Sequence, residues 1–110
     1  MNLLIVTYAL RNKYRDYEPF FVELRGNSVN WWHFIAQSAV VSTYLDADTF
    51  AKKLNQHIET SDSLLVAKIE PHQFQGWLPR EAWNWLNSVS ESIKPTLASP
   101  LSFLLPPPNK

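Results

Sequence analysis

The order of its apolar patterns is the feature that most constrains how this chain folds. Four short apolar segments, rich in β-branched and aromatic residues, occupy positions 2–9, 31–36, 39–45 and 64–70, and each is typical of a β-strand. Stretches whose apolar residues recur every three or four positions follow the first and the third segment. We therefore expect the chain to run strand, helix, strand, strand, helix, strand.

The two helices are predicted from their spacing and from the residues at their ends. The apolar face of the first consists of Tyr17, Phe20, Phe21 and Leu24, and that of the second of Ala47, Phe50, Ala51, Leu54 and Ile58. Asp16 and Asp46 are expected to cap their starts, because a short carboxylate accepts hydrogen bonds from the free backbone N–H groups of a first turn. Gly26 is expected just past the end of the first helix.

This order predicts an α+β fold, the ferredoxin-like βαββαβ arrangement, with a four-stranded antiparallel sheet and both helices on one face. The segment 64–70 is apolar nearly throughout, so we expect it to be a central strand. The other face of the sheet is expected to be covered by another subunit or by an added segment.

Two further segments follow the predicted sheet. Pro79 to about Ser90 predicts an extra C-terminal helix with Trp83 pointing away from its apolar stripe, which consists of Leu78, Ala82, Trp85, Leu86, Val89 and Ile93. The prolines after it exclude regular helix, yet the tail is apolar, so residues 95–110 are expected to dock on their own domain or on a protein partner. We therefore divide the chain into a domain of residues 1–90, which includes the third helix, and a proline-rich tail of residues 91–110.

Composition excludes several classes of function. The 110 residues suffice for one domain, and ten basic against ten acidic residues give no net formal charge, which argues against a strongly basic nucleic-acid binder. Without cysteine there are no disulfides, thiolate metal sites or cysteine nucleophiles. No apolar run approaches the roughly 20 residues of a membrane-spanning helix, and no basic leader precedes the first segment, so we expect a cytoplasmic protein without membrane contact.

Candidate nucleic-acid contacts lie in a charged loop after the first predicted strand. Arg11, Lys13 and Arg15 alternate around Tyr14 and follow Tyr8. In this pattern the cations can contact phosphates while a ring stacks on a base. The same pattern also fits an ordinary solvated loop.

The tryptophans and histidines have structural explanations beside functional ones. Base stacking is one role for the tryptophans, but we expect them mainly in the core or in dimer contacts: Trp31, Trp32, Trp77, Trp83 and Trp85. His33, His57 and His72 are spread along the chain and lack the spacing of metal ligands, so no metal site is predicted from them.

Several segments together resemble a known family. Residues 4–10, 35–41 and 62–66 resemble the first strand, the Gln-x-Ser-Val hairpin and the Asp-Ser opening of the fourth strand in the CRISPR-associated Cas-two proteins, the endoribonuclease subunit of the adaptation complex. Trp31-Trp32-His33 and the stretch Gly-Trp-Leu-Pro-Arg-Glu-Ala-Trp at 76–83 resemble a related group, the SinR-like proteins. The resemblance covers about residues 2–88, and the proline-rich tail lies outside it.

The resemblance implies a homodimer formed through the sheets, in which a C-terminal segment crosses to the other subunit. It also implies that an Asp at the end of the first strand of each subunit holds a divalent metal that activates a water for phosphodiester cleavage. The matching position here is Ala9, whose methyl group cannot ligate a metal. Asp16 is a nearby candidate for the missing acid, and Asp46 and Asp62, which also fit a helix cap and a turn, are further ones.

Three functions follow, and the sequence leaves all three open. The first is a non-catalytic homodimeric scaffold, without cofactor, that contacts nucleic acid in a prokaryotic defence system against viruses or in a toxin-related locus. The second is an endonuclease acting on RNA or DNA that depends on Mg²⁺ or Mn²⁺. The third is a protein-interaction module that uses its tail.

Overall fold

A computed structural model of the chain describes residues 1–93. The fold is α+β, with a four-stranded antiparallel sheet and three helices. In chain order its elements are β1 (Asn2–Ala9), α1 (Glu18–Gly26), β2 (Asn30–Trp32), β3 (Ser38–Thr43), α2 (Ala47–Asn55), β4 (Ser63–Ile69) and α3 (Arg80–Ser92). The predicted docking of residues 95–110 lies outside the described residues.

The sheet places β1 and β3 inside and leaves β2 and β4 at its edges. Its strand order is β2-β3-β1-β4, and each neighbouring pair is antiparallel. The prediction that residues 64–70 form a central strand was therefore wrong. The apolar run has another cause, because Leu64 and Val66 pack against α1 and α2 on one face while Ile69 packs against α3 on the other.

The first face of the sheet is covered by α1 and α2. The buried side chains of this layer are Leu4, Val6, Phe20, Leu24, Ala39, Val41, Phe50 and Leu54. The predicted apolar stripe of α2 is confirmed, and Ile58 packs against the same cluster although the helix ends before it. Asp46 caps α2 as predicted, since its carboxylate accepts a 2.8 Å hydrogen bond from the backbone N–H of Thr49.

The second face is covered by an added segment of the chain itself. Leu86 and Val89 of α3, and Ile93 just after it, pack against Leu3, Trp32 and Val40 of the sheet. The indole ring of Trp85 lies 6.1 Å from that of Trp32 in an edge-to-face arrangement. Trp83 stacks on Phe74, with ring centroids 6.2 Å apart, and packs against the same cluster, so the prediction that Trp83 points away was wrong.

Two element boundaries differ from their predictions for local reasons. The second strand, expected over 31–36, ends at Trp32, because the chain turns away from the sheet and Ser38 N–H closes the turn on the Ile35 carbonyl at 3.2 Å. Gln37 in this turn has φ +58°, a left-handed conformation that cannot continue a strand. At α1 the cap position is Tyr17 rather than Asp16, whose carboxylate accepts a hydrogen bond from Glu18 N–H at 2.9 Å.

Within residues 1–93, no helix combines the length and the apolar character needed to cross a bilayer.

Candidate nucleic-acid interface

Three connections meet at one end of the sheet and form the candidate site. They are the β1–α1 loop (residues 10–17), the β2–β3 turn (33–37) and the α2–β4 turn (56–62). The register brings them together, because Thr7 pairs with Ser38 of β3 and Ala9 pairs with Ser63 of β4. Residues far apart in sequence therefore share this end of the molecule.

A polar network ties the β1–α1 loop to the α2–β4 turn. Its members, called here the loop network, are Arg11, Asn12, Arg15, Tyr17, Glu59 and Asp62. The guanidinium of Arg11 donates to the Ser61 carbonyl at 2.6 Å and to Ser63 Oγ at 2.9 Å. Arg15 forms a 2.9 Å ion pair with Glu59, which also accepts from the amide of Asn12. Two of the three predicted phosphate-binding cations, Arg11 and Arg15, are therefore engaged in intramolecular contacts at the surface.

Asp62 is the acceptor at the centre of the loop network. Its carboxylate accepts from the backbone N–H of Arg11 at 2.8 Å, from Glu59 N–H at 2.9 Å and from the Tyr17 hydroxyl at 2.9 Å. Burial acts to raise the pKa of Asp62, but these donors together hold that pKa below its usual value. Burial raises the pKa of Tyr17, and the hydrogen bond to the Asp62 carboxylate raises it further against the opposing bond from Asn12 N–H.

The remaining cation and the aromatic residue beside it form the tip of the loop. Tyr14 is 88% exposed, and Lys13 Nζ lies 5.4 Å from the centre of its ring. Asn12 shapes the turn beneath them, since its side-chain oxygen accepts from Tyr14 N–H and its carbonyl accepts from Arg15 N–H, both at 3.0 Å. Lys13 and Tyr14, called here the loop tip, thus project from a turn that is fixed at its base.

Tyr8, the fifth predicted contact, is placed differently. Its ring packs edge-to-face against Phe20 at 5.2 Å and Phe21 at 5.7 Å. Burial raises the pKa of its hydroxyl, which therefore stays protonated at neutral pH. Tyr8 supports the wall of the site rather than projecting from it.

A second aromatic surface lies between α1 and the β2–β3 turn, and it was not predicted from the sequence as a unit. The guanidinium of Arg25 lies 5.9 Å from the ring of Trp31, and His33 lies 5.5 Å from the same ring. With Phe21 and Gln37, the residues Arg25 and His33 line an open depression of about 360 Å³. Burial and the charge of Arg25 lower the pKa of His33 and so favour its neutral ring. In the sequence, the Trp31-Trp32-His33 run indicates this aromatic surface, but no local pattern indicates that Arg25 contacts it.

The tryptophans divide between core and surface. Trp32 is buried under α3, and Trp83 and Trp85, which belong to α3, are partly buried against the sheet. Trp31 is 40% exposed, and Trp77, in the connection before α3, is 99% exposed. The other two histidines form ion pairs with carboxylates when protonated, His57 with Glu23 at 3.1 Å and His72 with Glu91 at 2.9 Å.

The acidic residues considered for catalysis are engaged in local structure. Asp46 caps α2, Asp16 accepts from Glu18 N–H, and Asp62 holds the loop network. Ala9 sits at the end of β1 opposite Ser63. Over the described range 1–93, no group of three or more His, Asp or Glu side chains is arranged to hold a metal ion.

Comparisons of the chain with protein-family models, with curated proteins and with solved structures gave no match. The resemblance to the SinR-like and Cas-two proteins therefore stays a prediction.

Proposed function

We propose that the chain is a non-catalytic, homodimeric module of the SinR-like and Cas-two-like kind, which contacts RNA or DNA as a scaffold in a prokaryotic defence or toxin-related system. The observation that carries the proposal is the loop tip. Lys13 and Tyr14 stand together at the surface, on a turn that the loop network fixes at its base.

The arrangement of the elements supports the ferredoxin-like part of this proposal. The chain runs βαββαβ before α3, the strands lie in the order β2-β3-β1-β4, and α1 and α2 pack on one face. The residues that carry the family resemblance fall on β1, the β2–β3 hairpin, the opening of β4 and the segment that leads into α3.

The geometry of the loop tip suits contact with a nucleic acid. An ammonium group binds a phosphate as a point charge, and an exposed phenol ring offers a face on which any base can stack. Because the turn is already ordered, binding costs little further conformational entropy. His33, in the β2–β3 turn at the same end of the sheet, contacts Trp31 of β2, and the Trp31 ring lies against the guanidinium of Arg25, so these residues supply a second stacking surface.

The hydrogen bonds of Asp62 and the presence of Ala9 at the position of the family acid support a non-catalytic role. Both oxygens of Asp62 already accept hydrogen bonds, and Ala9 replaces the acid of the resembled nucleases. The endonuclease that depends on Mg²⁺ or Mn²⁺ remains the alternative, and its test is given in the Discussion. The protein-interaction alternative depends on residues 95–110, beyond the part of the chain that the structure describes.

The test is a binding titration of the double variant Lys13→Glu/Tyr14→Ala with fluorescently labelled single-stranded RNA and double-stranded DNA. We expect its affinity to fall at least fivefold, since stacking on one aromatic side chain contributes about 1–3 kcal/mol. The slope of log affinity against log salt should also decrease by about one, because one phosphate contact is lost. Arg15 is left unchanged because its ion pair with Glu59 holds the loop.

The matched control is Arg80→Glu/Tyr44→Ala. It reverses one positive charge and removes one tyrosine ring at exposed positions outside the three connections of the candidate site, since Arg80 begins α3 and Tyr44 follows β3. The control should bind like the parent chain. An equal loss of nucleic-acid affinity in both variants, or no loss in either, would contradict the proposed contact.

A further inference from the structure

The free edge of β4 is the most complete unused interaction surface among residues 1–93. β4 pairs with β1 on one side and, within those residues, with no strand on the other. Its seven residues, Ser63–Ile69, include no proline or glycine and a single charged side chain, that of Lys68. Long and weakly charged edges of this kind are prone to pair with another strand.

The register shows which backbone groups face outward. Tyr8 N–H donates to the Gln37 carbonyl on the β3 side, so alternate residues of β1, among them Thr7 and Ile5, direct their groups toward β4. Their partners in β4 are Leu65 and Ala67, whose N–H and C=O groups are therefore used. The outward groups belong to the residues between and beside these two: Leu64, Val66 and Lys68.

These three outward residues are spaced symmetrically about Val66. We propose that this edge is the dimer interface, and that it binds β4 of a second copy of this chain in antiparallel pairing centred on Val66. In this register Val66 faces Val66 of the second copy and Leu64 faces its Lys68, so all the outward N–H and C=O groups form hydrogen bonds. The inference rests on the homodimer in the proposed function and assigns its surface, since α3 already covers much of the sheet's second face.

The side chains at the edge fit this register. Leu65, which is 63% exposed, would lie opposite Ala67 of the second copy on the α3 side of the sheet. Lys68 of the second copy would lie opposite Leu64, which lines a groove of about 560 Å³ together with Glu59 and Asp62. A cation therefore enters a groove whose wall carries two carboxylates and one ammonium group, that of Lys52. Because a strand edge alone buries less than the roughly 1,000 Å² of a stable interface, the dimer should dissociate on dilution.

Single cysteines test the register, because the chain has none of its own. Leu65 and Ala67 of the second copy would form a non-hydrogen-bonded pair with Cα atoms about 4.5 Å apart, within the range of a disulfide. Two copies of Leu65 would be diagonal neighbours about 7–8 Å apart, beyond that range. The full chain is made as Leu65→Cys and as Ala67→Cys, and each variant alone and their equimolar mixture are oxidised mildly with oxidised glutathione.

We expect a disulfide dimer in the mixture and several-fold less in either variant alone. Sedimentation of the parent chain should show a mass that rises with concentration toward a dimer. A chain that stays monomeric, or a dimer without the mixture-specific disulfide, would overturn the inference. Neither outcome affects the loop tip, because nucleic-acid contact is measured separately on the Lys13→Glu/Tyr14→Ala variant.

Discussion

At the scale of single residues, Asp62 holds together two of the connections that form the candidate site. Its two carboxylate oxygens accept from backbone N–H groups of different segments, Oδ1 from Arg11 and Oδ2 from Glu59. It therefore joins the β1–α1 loop to the α2–β4 turn, and a bond of this kind to a charged acceptor is stronger than one between neutral groups. The loop tip depends on this junction without touching it.

The first residue-scale prediction concerns Asp62→Asn. An amide keeps one acceptor oxygen but turns an NH₂ group toward the second backbone donor, so the urea midpoint should fall at pH 7. The folded pKa of Asp62 lies below its ordinary value of 3.8. The stability it contributes is therefore fully present above about pH 4 and is lost as the pH falls through the folded pKa.

The difference in urea midpoint between the parent chain and Asp62→Asn should accordingly be smaller at pH 2.5 than at pH 7. Asp48→Asn, an exposed carboxylate on α2, is the control and should leave the midpoint nearly unchanged. A difference that is equal at both pH values would show that the Asp62 carboxylate does not hold the loop.

The residue scale also shows what the sequence could and could not predict about the site. The run from Arg11 to Arg15 indicates the loop that carries the loop tip, because its charged and aromatic residues can be read directly from the sequence. It did not show which cations were free, since the partners of Arg11 and Arg15 lie more than forty positions away in the α2–β4 turn. Arg25 was missed for the same reason, because its contact with Trp31 depends on how α1 lies on the sheet.

At the scale of elements, α3 explains why β4 was wrongly predicted to be central. Its apolar stripe covers the second face of the sheet, as expected for an added segment. The same packing makes β4 apolar on both faces although it lies at an edge, and this composition is why it was predicted to be central. By contrast α2 was predicted closely, because its stripe and the Asp46 cap are local features of the sequence.

The docking of α3 is tested by Leu86→Ala. Leu86 is 4% exposed and packs against the sheet, so its truncation should destabilise the protein by about 2–5 kcal/mol in urea unfolding. Asn87→Ala, at the next and exposed position of the same helix, should change the stability by less than about 0.5 kcal/mol. Equal small effects in both variants would mean that α3 does not cover the sheet.

At the scale of the whole molecule, the surface has two regions of different chemistry, which lie at different places on one sheet. The loop end carries the cation and the aromatic residues proposed for nucleic acid, while the β4 edge carries the backbone groups proposed for a second copy. In the proposed dimer the two loop tips would be related by a twofold axis. A nucleic acid that touches both would then be held more tightly than one that touches a single tip.

A non-catalytic role makes its own prediction for the whole chain. Incubation of the parent chain with labelled RNA or DNA should give no more cleavage with Mg²⁺ or Mn²⁺ than with a chelator. Ala9→Asp restores an acid at the position that the resemblance makes catalytic, and it serves as the comparison. Metal-dependent cleavage by the parent chain would contradict the proposal and favour the endonuclease alternative.

The most direct test of the central claim is an NMR titration of the ¹⁵N-labelled chain with a short single-stranded RNA and, separately, with duplex DNA. With at least one of these ligands, the account predicts that the backbone amide signals of residues 11–16 shift, with weaker shifts around Trp31 and His33. Those around Tyr44 and Arg80 should stay in place, and the shifts should shrink as salt is added. Shifts confined to other parts of the sheet, or none with either ligand at millimolar concentration, would contradict the assignment of the loop tip as the nucleic-acid contact.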